Sequence, residues 1–384
     1  MPEREVAPSY QRSMFTLVGL ALFAMVAANM ITPTLYLYAA ELGASLAFIG
    51  LIASAASAVR LFSRIPMGLL SDRFGRRLLI GLGAFGVVGS LLMLYLALTP
   101  AQILVAYAID TLAFMAVFTI GLTMASEIYS SHKATGVSLF ALSSSLAMFI
   151  APGICGFLLL QYQIRETYLV ASLIGLGGVL CSTRIVTSPR LSTSLNIRRS
   201  LKNVLKNENV RFSATLEMFF SLGVNSIFIF LPLYLSEGFR LTSAEISFLF
   251  AIYSLAMVST RLPLPKLLRR FDEKSMIGLG FLEYAIALMA LPFGNSLVHF
   301  SLLLFASGMA HGIIFPSMAL VVSRSGSFDL ALANSVYLGV GDVITIVAPP
   351  IIASFVQAFG YGPVYLATSI AMLIGLAYAI MKRR

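Results

Sequence analysis

The chain has 384 residues, of which 59% are hydrophobic and 11% charged, and its formal net charge is +10. A soluble domain has about half of its residues apolar and about a quarter charged, so this composition excludes an ordinary soluble protein and indicates that the excess apolar surface faces lipid. The basic residues lie in alternate loops between apolar segments. Basic residues in alternate loops are typical of a protein that crosses the membrane several times, so the positive charge does not predict nucleic-acid binding.

Twelve apolar windows of about 20 residues, long enough to cross a bilayer, follow one another along the chain. They lack the strict alternation of barrel strands, so they predict helices, which satisfy their own backbone hydrogen bonds in lipid. The expected fold is an all-α integral membrane protein with twelve transmembrane helices. The predicted spans are 14–39, 46–70, 78–98, 101–127, 134–160, 167–187, 212–236, 243–267, 276–296, 298–323, 331–357 and 362–381.

The lysine and arginine residues predict the orientation of these spans. Of the 26, 21 lie in the segments on the same side as the N-terminus and 2 in the loops on the other side. Because basic residues concentrate in cytoplasmic loops, both termini are expected to be cytoplasmic. The expected location is the cell membrane of a prokaryote, its cytoplasmic or inner membrane.

An internal repeat predicts two related halves. Residues 64–83 align with 261–280 at an offset of 197, and nine of the twenty aligned positions are identical. Parallel repeats of this kind build two pseudo-symmetric bundles with a substrate path between them near the bilayer midplane. The predicted organisation is a six-helix bundle over 1–187, a basic cytoplasmic linker over 188–211 and a second six-helix bundle over 212–384.

The loop between spans 2 and 3 resembles the signature of the major facilitator superfamily, in its exporter branch of drug–proton antiporters. The matching residues are Gly68, Leu70, Ser71, Asp72, Arg73, Gly75, Arg76 and Arg77. The resemblance implies a transporter that alternates between inward-open and outward-open states as one half rocks against the other. It also implies that Arg76 pairs with an acid at the end of helix 4, where Glu127 stands. Gly68 is expected to let helix 2 approach a neighbour closely.

The second copy of this loop carries charges of opposite sign. The first set is Asp72, Arg76 and Glu127, and its copies 197 residues later are Arg269, Glu273 and Arg324. One set is negative, positive, negative and the other is positive, negative, positive, so each can pair internally. We hypothesise that both clusters latch the inward-closed state and separate when it opens.

Ionisable residues inside the spans are candidates for proton coupling, because a charge there costs about 2.5–3.5 kcal/mol and is functional by default. The candidates on helices that the resemblance places beside the cavity are Asp110, Glu217, His311 and Asp342. His311 and Asp342 are matched in depth, so a carboxylate beside an imidazole is expected to exchange a proton. Glu217 is matched in depth with Arg261, and a structural ion pair is the alternative for it. Glu283, on span 9, is expected to form a structural pair.

Polar and aromatic residues on the expected cavity helices are candidates for substrate contact. They are Asn29, Tyr36, Arg60, Phe114, Phe118, Asn225, Phe228 and Met309. A site with few charges and many aromatic rings favours an apolar or amphipathic solute over a sugar or a phosphate.

The leading hypothesis is proton-coupled efflux of small amphipathic compounds by a monomer, whose partners are protons, the solute and the lipid bilayer. No cofactor, metal or catalytic residue is expected. The proton gradient would supply the energy, since the chain has no G-x-x-x-x-G-K-S/T string for binding ATP. The alternative is an importer or uniporter of a small metabolite such as an organic anion, with Arg60 as its ligand. A membrane-embedded enzyme is the remote alternative, and three scattered histidines argue against it.

Overall fold

The structure is a computed structural model and describes residues 8–128, 133–185, 197–324 and 330–382. Over these ranges eleven helical segments are long and apolar enough to cross a membrane, and Ser13–Asn29 is a shorter apolar helix. The helices are α1 Pro8–Asn29, α2 Leu35–Glu41, α3 Leu46–Phe74, α4 Arg76–Tyr95, α5 Pro100–Ile128, α6 Lys133–Leu159, α7 Ile164–Thr183, α8 Ile197–Lys206, α9 Glu208–Asn225, α10 Leu231–Phe239, α11 Ser243–Arg261, α12 Leu264–Leu267, α13 Glu273–Ala290, α14 Leu297–Ser323, α15 Leu330–Phe359 and α16 Tyr361–Met381.

The chain forms two compact units. The first takes the described residues of Met1–Tyr38 and Phe62–Thr193, and the second those of Ala39–Leu61 and Ser194–Arg384. Helix α3 is therefore divided, and its N-terminal part belongs to the second unit. Within the first unit α1 packs on α6 and α7, and α4 packs on α5 and α7. Within the second unit α9 packs on α15 and α16, and α13 packs on α14 and α16, which are the equivalent helices of the repeat.

The first predicted span is interrupted in the structure. Helix α1 ends at Asn29, a turn follows, and α2 begins at Leu35, whereas the sequence predicts one helix over 14–39. Pro33 lies in the turn and cannot donate a backbone hydrogen bond. The turn keeps its own backbone hydrogen bonds: the N–H groups of Thr32 and Leu35 donate to the carbonyls of Asn29 and Ile31 over 3.2 and 2.9 Å.

The equivalent span of the second unit contains a π-helical turn at the matching place. This turn, Ser226–Phe230, joins α9 to α10 without a break, so the continuous helix that the sequence predicts over 212–236 is confirmed within the helical run Glu208–Phe239. The backbone N–H of Leu231 donates to the carbonyl of Ser226, five residues back, and Pro232 follows without a donor. Turns of this kind occur mostly at functional sites.

Glycines bring α14 and α11 into close contact in the second unit. A Cβ atom at Gly308 would lie 2.1 Å from the carbonyl oxygen of Tyr253, and one at Gly312 would lie 2.6 Å from that of Met257. Only glycine fits at both positions. The four-residue spacing of the two glycines lets the helix backbones approach closely along one face.

The second part of the predicted linker is a basic amphipathic helix, α8. Its Val204 is fully buried against Val322 and Tyr337 of the second unit, while Lys202 and Lys206 are exposed. The remainder of the predicted linker, up to residue 196, lies outside the described residues.

Candidate functional site

An ion pair joins the start of α4 to the end of α5, on the predicted cytoplasmic side. Arg76 is the first residue of α4 and Glu127 lies in the last turn of α5. Their side chains are only 13% and 12% exposed, so salt screens the pair weakly. The pairing that the sequence predicts for these two residues is therefore present. The side chain of Asp72, the third member of the predicted set, lies outside the described residues.

A second ion pair occupies the repeat-related position with its charges exchanged. Glu273 is the first residue of α13 and pairs with Arg324, which caps the C-terminus of α14. The Glu273 side chain is 9% exposed and that of Arg324 is 62% exposed. Arg269 is exposed, and no ion pair joins it to Glu273 within the described part of the chain. The predicted inversion of sign therefore holds for one pair in each copy.

The residue after each ion pair binds the end of another helix. Arg77 donates to the carbonyl of Thr183 at the end of α7, over 2.5 Å. Lys274, its copy in the repeat, donates over 2.5 Å to the carbonyl of Lys382, which caps α16. A cation near a helix C-terminus is stabilised by the unpaired carbonyls there. Each copy of the loop thus ties its sixth helix to its third.

The remaining residues of the motif have separate roles. Gly75 caps α4 with φ 95°, a backbone conformation that residues with a Cβ rarely adopt. The Arg73 guanidinium lies 5.5 Å from the ring of Phe74. The close approach predicted at Gly68 is wrong for this structure, because no described atom lies within 4 Å of the place where its Cβ would be.

An ion pair lies within the predicted membrane region of the second unit. Nε of Arg60, on α3, is 3.3 Å from Oδ1 of Asp342 on α15. Arg60 also donates to Oγ of Ser57 over 2.6 Å. The Asp342 side chain is 7% exposed and that of Arg60 is 34% exposed. Asp342 is twelve residues into α15, which is about 18 Å from its start at 1.5 Å per residue.

His311 contacts a tyrosine, and the predicted pairing with Asp342 is wrong. Nδ1 of His311 is 2.6 Å from the hydroxyl oxygen of Tyr253, and the ring of Phe220 stands edge-on at 5.0 Å. No hydrogen bond or ion pair joins His311 to Asp342 within the described ranges. The reason is helix rotation: His311 stands between Gly308 and Gly312 on the face of α14 that packs on α11, while Asp342 is bound to Arg60.

A ladder of polar side chains joins α9 to α15. Ser221 donates to Oε1 of Glu217 over 3.2 Å, and this oxygen would lie 2.6 Å from a Cβ at Gly341. One turn further, Asn225 donates to Oγ1 of Thr345 over 3.2 Å, and Thr345 donates to the carbonyl of Gly341 over 2.9 Å. The carboxylate of Glu217 thus rests on the backbone next to Asp342. The ion pair predicted for Glu217 and Arg261 stays a prediction.

Asp110 lies in the first unit, packed against α4. Its Oδ1 accepts a hydrogen bond of 3.0 Å from Ser90, and its side chain is buried. The Ser90 hydroxyl is also 2.8 Å from the carbonyl of Val87. Since a hydroxyl has one hydrogen to donate, the two acceptors share it. This contact gives Asp110 a structural partner on a neighbouring helix of its own unit.

The predicted substrate-contact residues fall into several groups. Phe114 and Phe118 stack at 6.1 Å in the first unit, where Tyr36 stands edge-on to Tyr107 at 6.5 Å. Asn29 donates to the carbonyl of Met25 at the break after α1. In the second unit Phe228 packs on Tyr253 at 5.3 Å. Met309 instead lines a groove among α11, α13 and α14.

Several partners of the predicted residues were not anticipated from the sequence. The four-residue spacing of Glu217, Ser221 and Asn225, which puts them on one helix face, was a usable signal for the polar ladder. Tyr253 and Ser90 offer no such signal, because their importance depends on which faces of two helices meet.

The comparisons with known proteins agree with this architecture. The Major Facilitator Superfamily profile matches residues 17–219 and 213–384. The quinolone resistance protein NorA of Staphylococcus aureus is 21% identical over 373 residues, which cover 93% of this chain and 92% of NorA. An uncharacterised MFS-type transporter of Methanocaldococcus jannaschii is 24% identical over 283 residues, 71% of each chain.

Solved structures of transporters share the fold. The nucleoside transporter NupG superposes with a TM-score of 0.79 at 14% identity, covering 97% of this chain and 99% of NupG. The human organic anion transporter MFSD10 superposes with a TM-score of 0.70 at 15% identity, covering 97% and 100%. The profile match over most of the chain, together with the fold and the loop motif, identifies the chain as a multi-pass membrane transporter, not an enzyme, that belongs to the major facilitator superfamily.

Proposed function

We propose that this transporter exports small amphipathic compounds in exchange for protons, across the cytoplasmic membrane of a prokaryote and as a monomer with both termini inside. The transmembrane potential supplies about 2.3 kcal/mol per charge per 100 mV, so proton entry can drive a solute outward without a cofactor.

The pair of Arg60 and Asp342 is the observation that carries the proposal. Asp342 is 7% exposed and about 18 Å along its helix, and its carboxylate is paired with the guanidinium of Arg60. Loss of one charge of a buried pair leaves the other uncompensated. Protonation cancels the charge of the carboxylate and releases the partly exposed guanidinium. A proton bound at Asp342 therefore changes the contact between α3 and α15, and this is the link that coupled transport needs.

Aromatic surroundings support an amphipathic solute. The rings of Phe220 and Phe315 lie 5.0 and 6.2 Å from that of His311, and Phe228 packs on the neighbouring Tyr253. An interior with many aromatic rings and few charges favours apolar and amphipathic ligands over sugars or phosphates. The name of the relative NorA, a quinolone resistance protein, points in the same direction.

The second candidate function, import or uniport of an organic anion, has one argument of its own. Arg60 is 34% exposed and a guanidinium carries five N–H donors, and the similarly folded MFSD10 is an organic anion transporter. The bound Asp342 already neutralises this arginine, which disfavours it as an anion ligand.

Flux across reconstituted liposomes tests the proposal. With ethidium as probe, an acidic lumen should drive accumulation in the liposome, and reversal of the gradient should abolish it. Accumulation driven by an acidic exterior would instead indicate symport. Uptake of salicylate, an organic anion, with no movement of ethidium under either gradient would favour the second candidate and contradict the first.

Two variants test which residue couples proton movement to ethidium transport. Asp342→Asn should abolish gradient-driven accumulation while downhill ethidium flux persists. Asp110→Asn is the matched control, since it also removes a buried carboxylate within a span but keeps an acceptor for Ser90. Gradient-driven accumulation that survives Asp342→Asn and is lost in Asp110→Asn would contradict the assignment.

The two cytoplasmic ion pairs are proposed as latches of the inward-closed state. If they separate on opening, Arg76→Glu should shift the protein toward the open state and slow transport. An Arg76→Glu variant with unchanged ethidium flux and unchanged accessibility of the inner side would remove the latch from the mechanism.

A further inference from the structure

A groove among α11, α13 and α14 has no role in the mechanism above. Its volume is about 740 Å³, and its walls are almost entirely apolar side chains of the second unit. Phe271, Leu279 and Ile286 on its rim are 52%, 52% and 60% exposed. Apolar side chains that remain exposed in a membrane protein face lipid, so the groove is accessible from the bilayer.

Glu283 is the one charged residue among those that line the groove. It is partly buried, and no hydrogen bond or ion pair to it occurs in the described part of the chain. The structural pair that the sequence predicts for Glu283 is therefore wrong. A carboxylate without a partner inside a membrane span is costly, and its opening onto a cavity points to a ligand that supplies the partner.

The depth of Glu283 restricts the ligand. It lies ten residues after the start of α13, about 15 Å along the helix, which is near the middle of a bilayer core about 30 Å thick. The headgroup of a bilayer phospholipid stays at the surface and does not reach this depth. A cation that reaches Glu283 must be carried on a molecule that is itself soluble in lipid.

An aromatic ring in the groove fits the same ligand. Phe305 lines the groove and is 40% exposed, and the faces of aromatic rings attract organic cations. The first unit has no equivalent carboxylate: the position 197 residues before Glu283 is Gly86, where a Cβ would lie 2.8 Å from that of Ala113. At this position the helices of the first unit are in close contact around Gly86, whereas in the second unit Glu283 lies in an open groove.

We propose that the groove is a membrane-facing binding site for lipophilic organic cations, held by the carboxylate of Glu283 among apolar and aromatic walls. The site is separate from the pair of Arg60 and Asp342, and it holds a ligand without any proton gradient. Amphipathic cations dissolved in the bilayer reach it laterally, through the exposed rim of α13.

Binding of two hydrophobic ions of matched shape tests the site. Tetraphenylphosphonium and tetraphenylborate each carry four phenyl rings around one charged centre, with opposite charge. Equilibrium binding to the full chain in lipid nanodiscs, corrected for empty nanodiscs, should detect the cation and not the anion. Glu283→Gln should weaken cation binding at least tenfold, and Glu283→Asp should keep it within about threefold.

Two further variants separate this site from the proposed coupling site and guard against misfolding. Ala306→Phe fills the groove and leaves the carboxylate, so it should also weaken cation binding, and Asp342→Asn should not. Each variant is checked for an unchanged elution profile and melting midpoint. Unchanged cation binding in Glu283→Gln, equal binding of both ions, or loss in Asp342→Asn alone would each overturn the proposal, whatever the result of the flux experiments.

Discussion

The ion pairs Arg76–Glu127 and Glu273–Arg324 occupy equivalent places in the repeat but meet the helix ends differently. A helix start carries partial positive charge and a helix end partial negative charge. In the first copy the positive Arg76 stands at the start of α4 and the negative Glu127 at the end of α5, so each is repelled by the partial charge at its own helix end. In the second copy the negative Glu273 starts α13 and the positive Arg324 caps the end of α14, so each is attracted by the partial charge there.

This difference shows that a charged side chain needs its ion-pair partner more in the first copy of the loop than in the second. The first pair is enclosed and each of its members is unfavourable when alone. In the second pair Arg324 is 62% exposed, and each member is stabilised by its helix even without the other. The first copy should therefore be the more sensitive to substitution.

Reversal of one arginine in each copy should give the largest contrast. Arg76→Glu places two carboxylates together in an enclosed site, and we expect a loss of about 3 kcal/mol. Arg324→Glu changes a mostly exposed side chain, and the expected loss is at most about 1 kcal/mol. Melting midpoints of the purified variants should rank in that order. Equal shifts would contradict the comparison.

Exchange of the capping residues between the copies should have the next largest effect. Gly75 has φ 95° and Asp272 has φ −69° with its side chain accepting from the N–H of Ser275. Gly75→Asp should cost about 2 kcal/mol because a side chain strains this conformation. Asp272→Gly should cost only about 0.3 kcal/mol. A melting midpoint that falls further for Asp272→Gly would refute the interpretation.

Double charge swaps isolate the contribution of the helix ends. Arg76→Glu with Glu127→Arg restores the pair and aligns both charges with their helices, so its stability should recover to about 1 kcal/mol above that of the natural pair. Glu273→Arg with Arg324→Glu should lose about 1 kcal/mol for the opposite reason. The measurement is the melting midpoint at low salt. A first double swap no more stable than Arg76→Glu alone would contradict it.

The smallest effect is expected where the two copies agree. Arg77→Ala and Lys274→Ala each remove one donor to the C-terminal carbonyls of α7 and α16. Both are exposed contacts, so each loss should be about 0.5 kcal/mol and the two should be equal. A shift several times larger in one copy than in the other would show that these contacts are not equivalent.

The sequence predicted side-chain contacts at the ends of the helices better than contacts in their middles. The two ion pairs lie beside helix termini, where the motif and the offset of 197 residues determine which side chains meet. His311 and Asp342 share a depth, but contact within a bundle also depends on the rotation of each helix. The sequence does not specify that rotation, so Tyr253 and Arg60 were missed as their partners.

The break after α1, the π-helical turn and the groove could not be predicted from the sequence, for related reasons. Apolar windows report length and hydropathy, which do not change at the turn around Pro33 or at the π-helical turn Ser226–Phe230. Glu283 was expected to form a structural pair because the family resemblance places span 9 outside the helices that line the cavity. Its position on the groove follows from packing among three helices, which no single segment encodes.

Proton release on ligand binding tests most directly whether Asp342 couples a proton to the solute. Ethidium is added to the purified protein in weakly buffered detergent solution, and a pH indicator records the protons released. The protein is first brought to a pH at which Asp342 has bound a proton and its pair with Arg60 is broken. We predict that ethidium binding then releases about one proton per chain from the natural protein and none from Asp342→Asn, with Asp110→Asn unchanged. Ethidium binding with equal proton release in Asp342→Asn, or with none in the natural protein, would contradict exchange at Asp342.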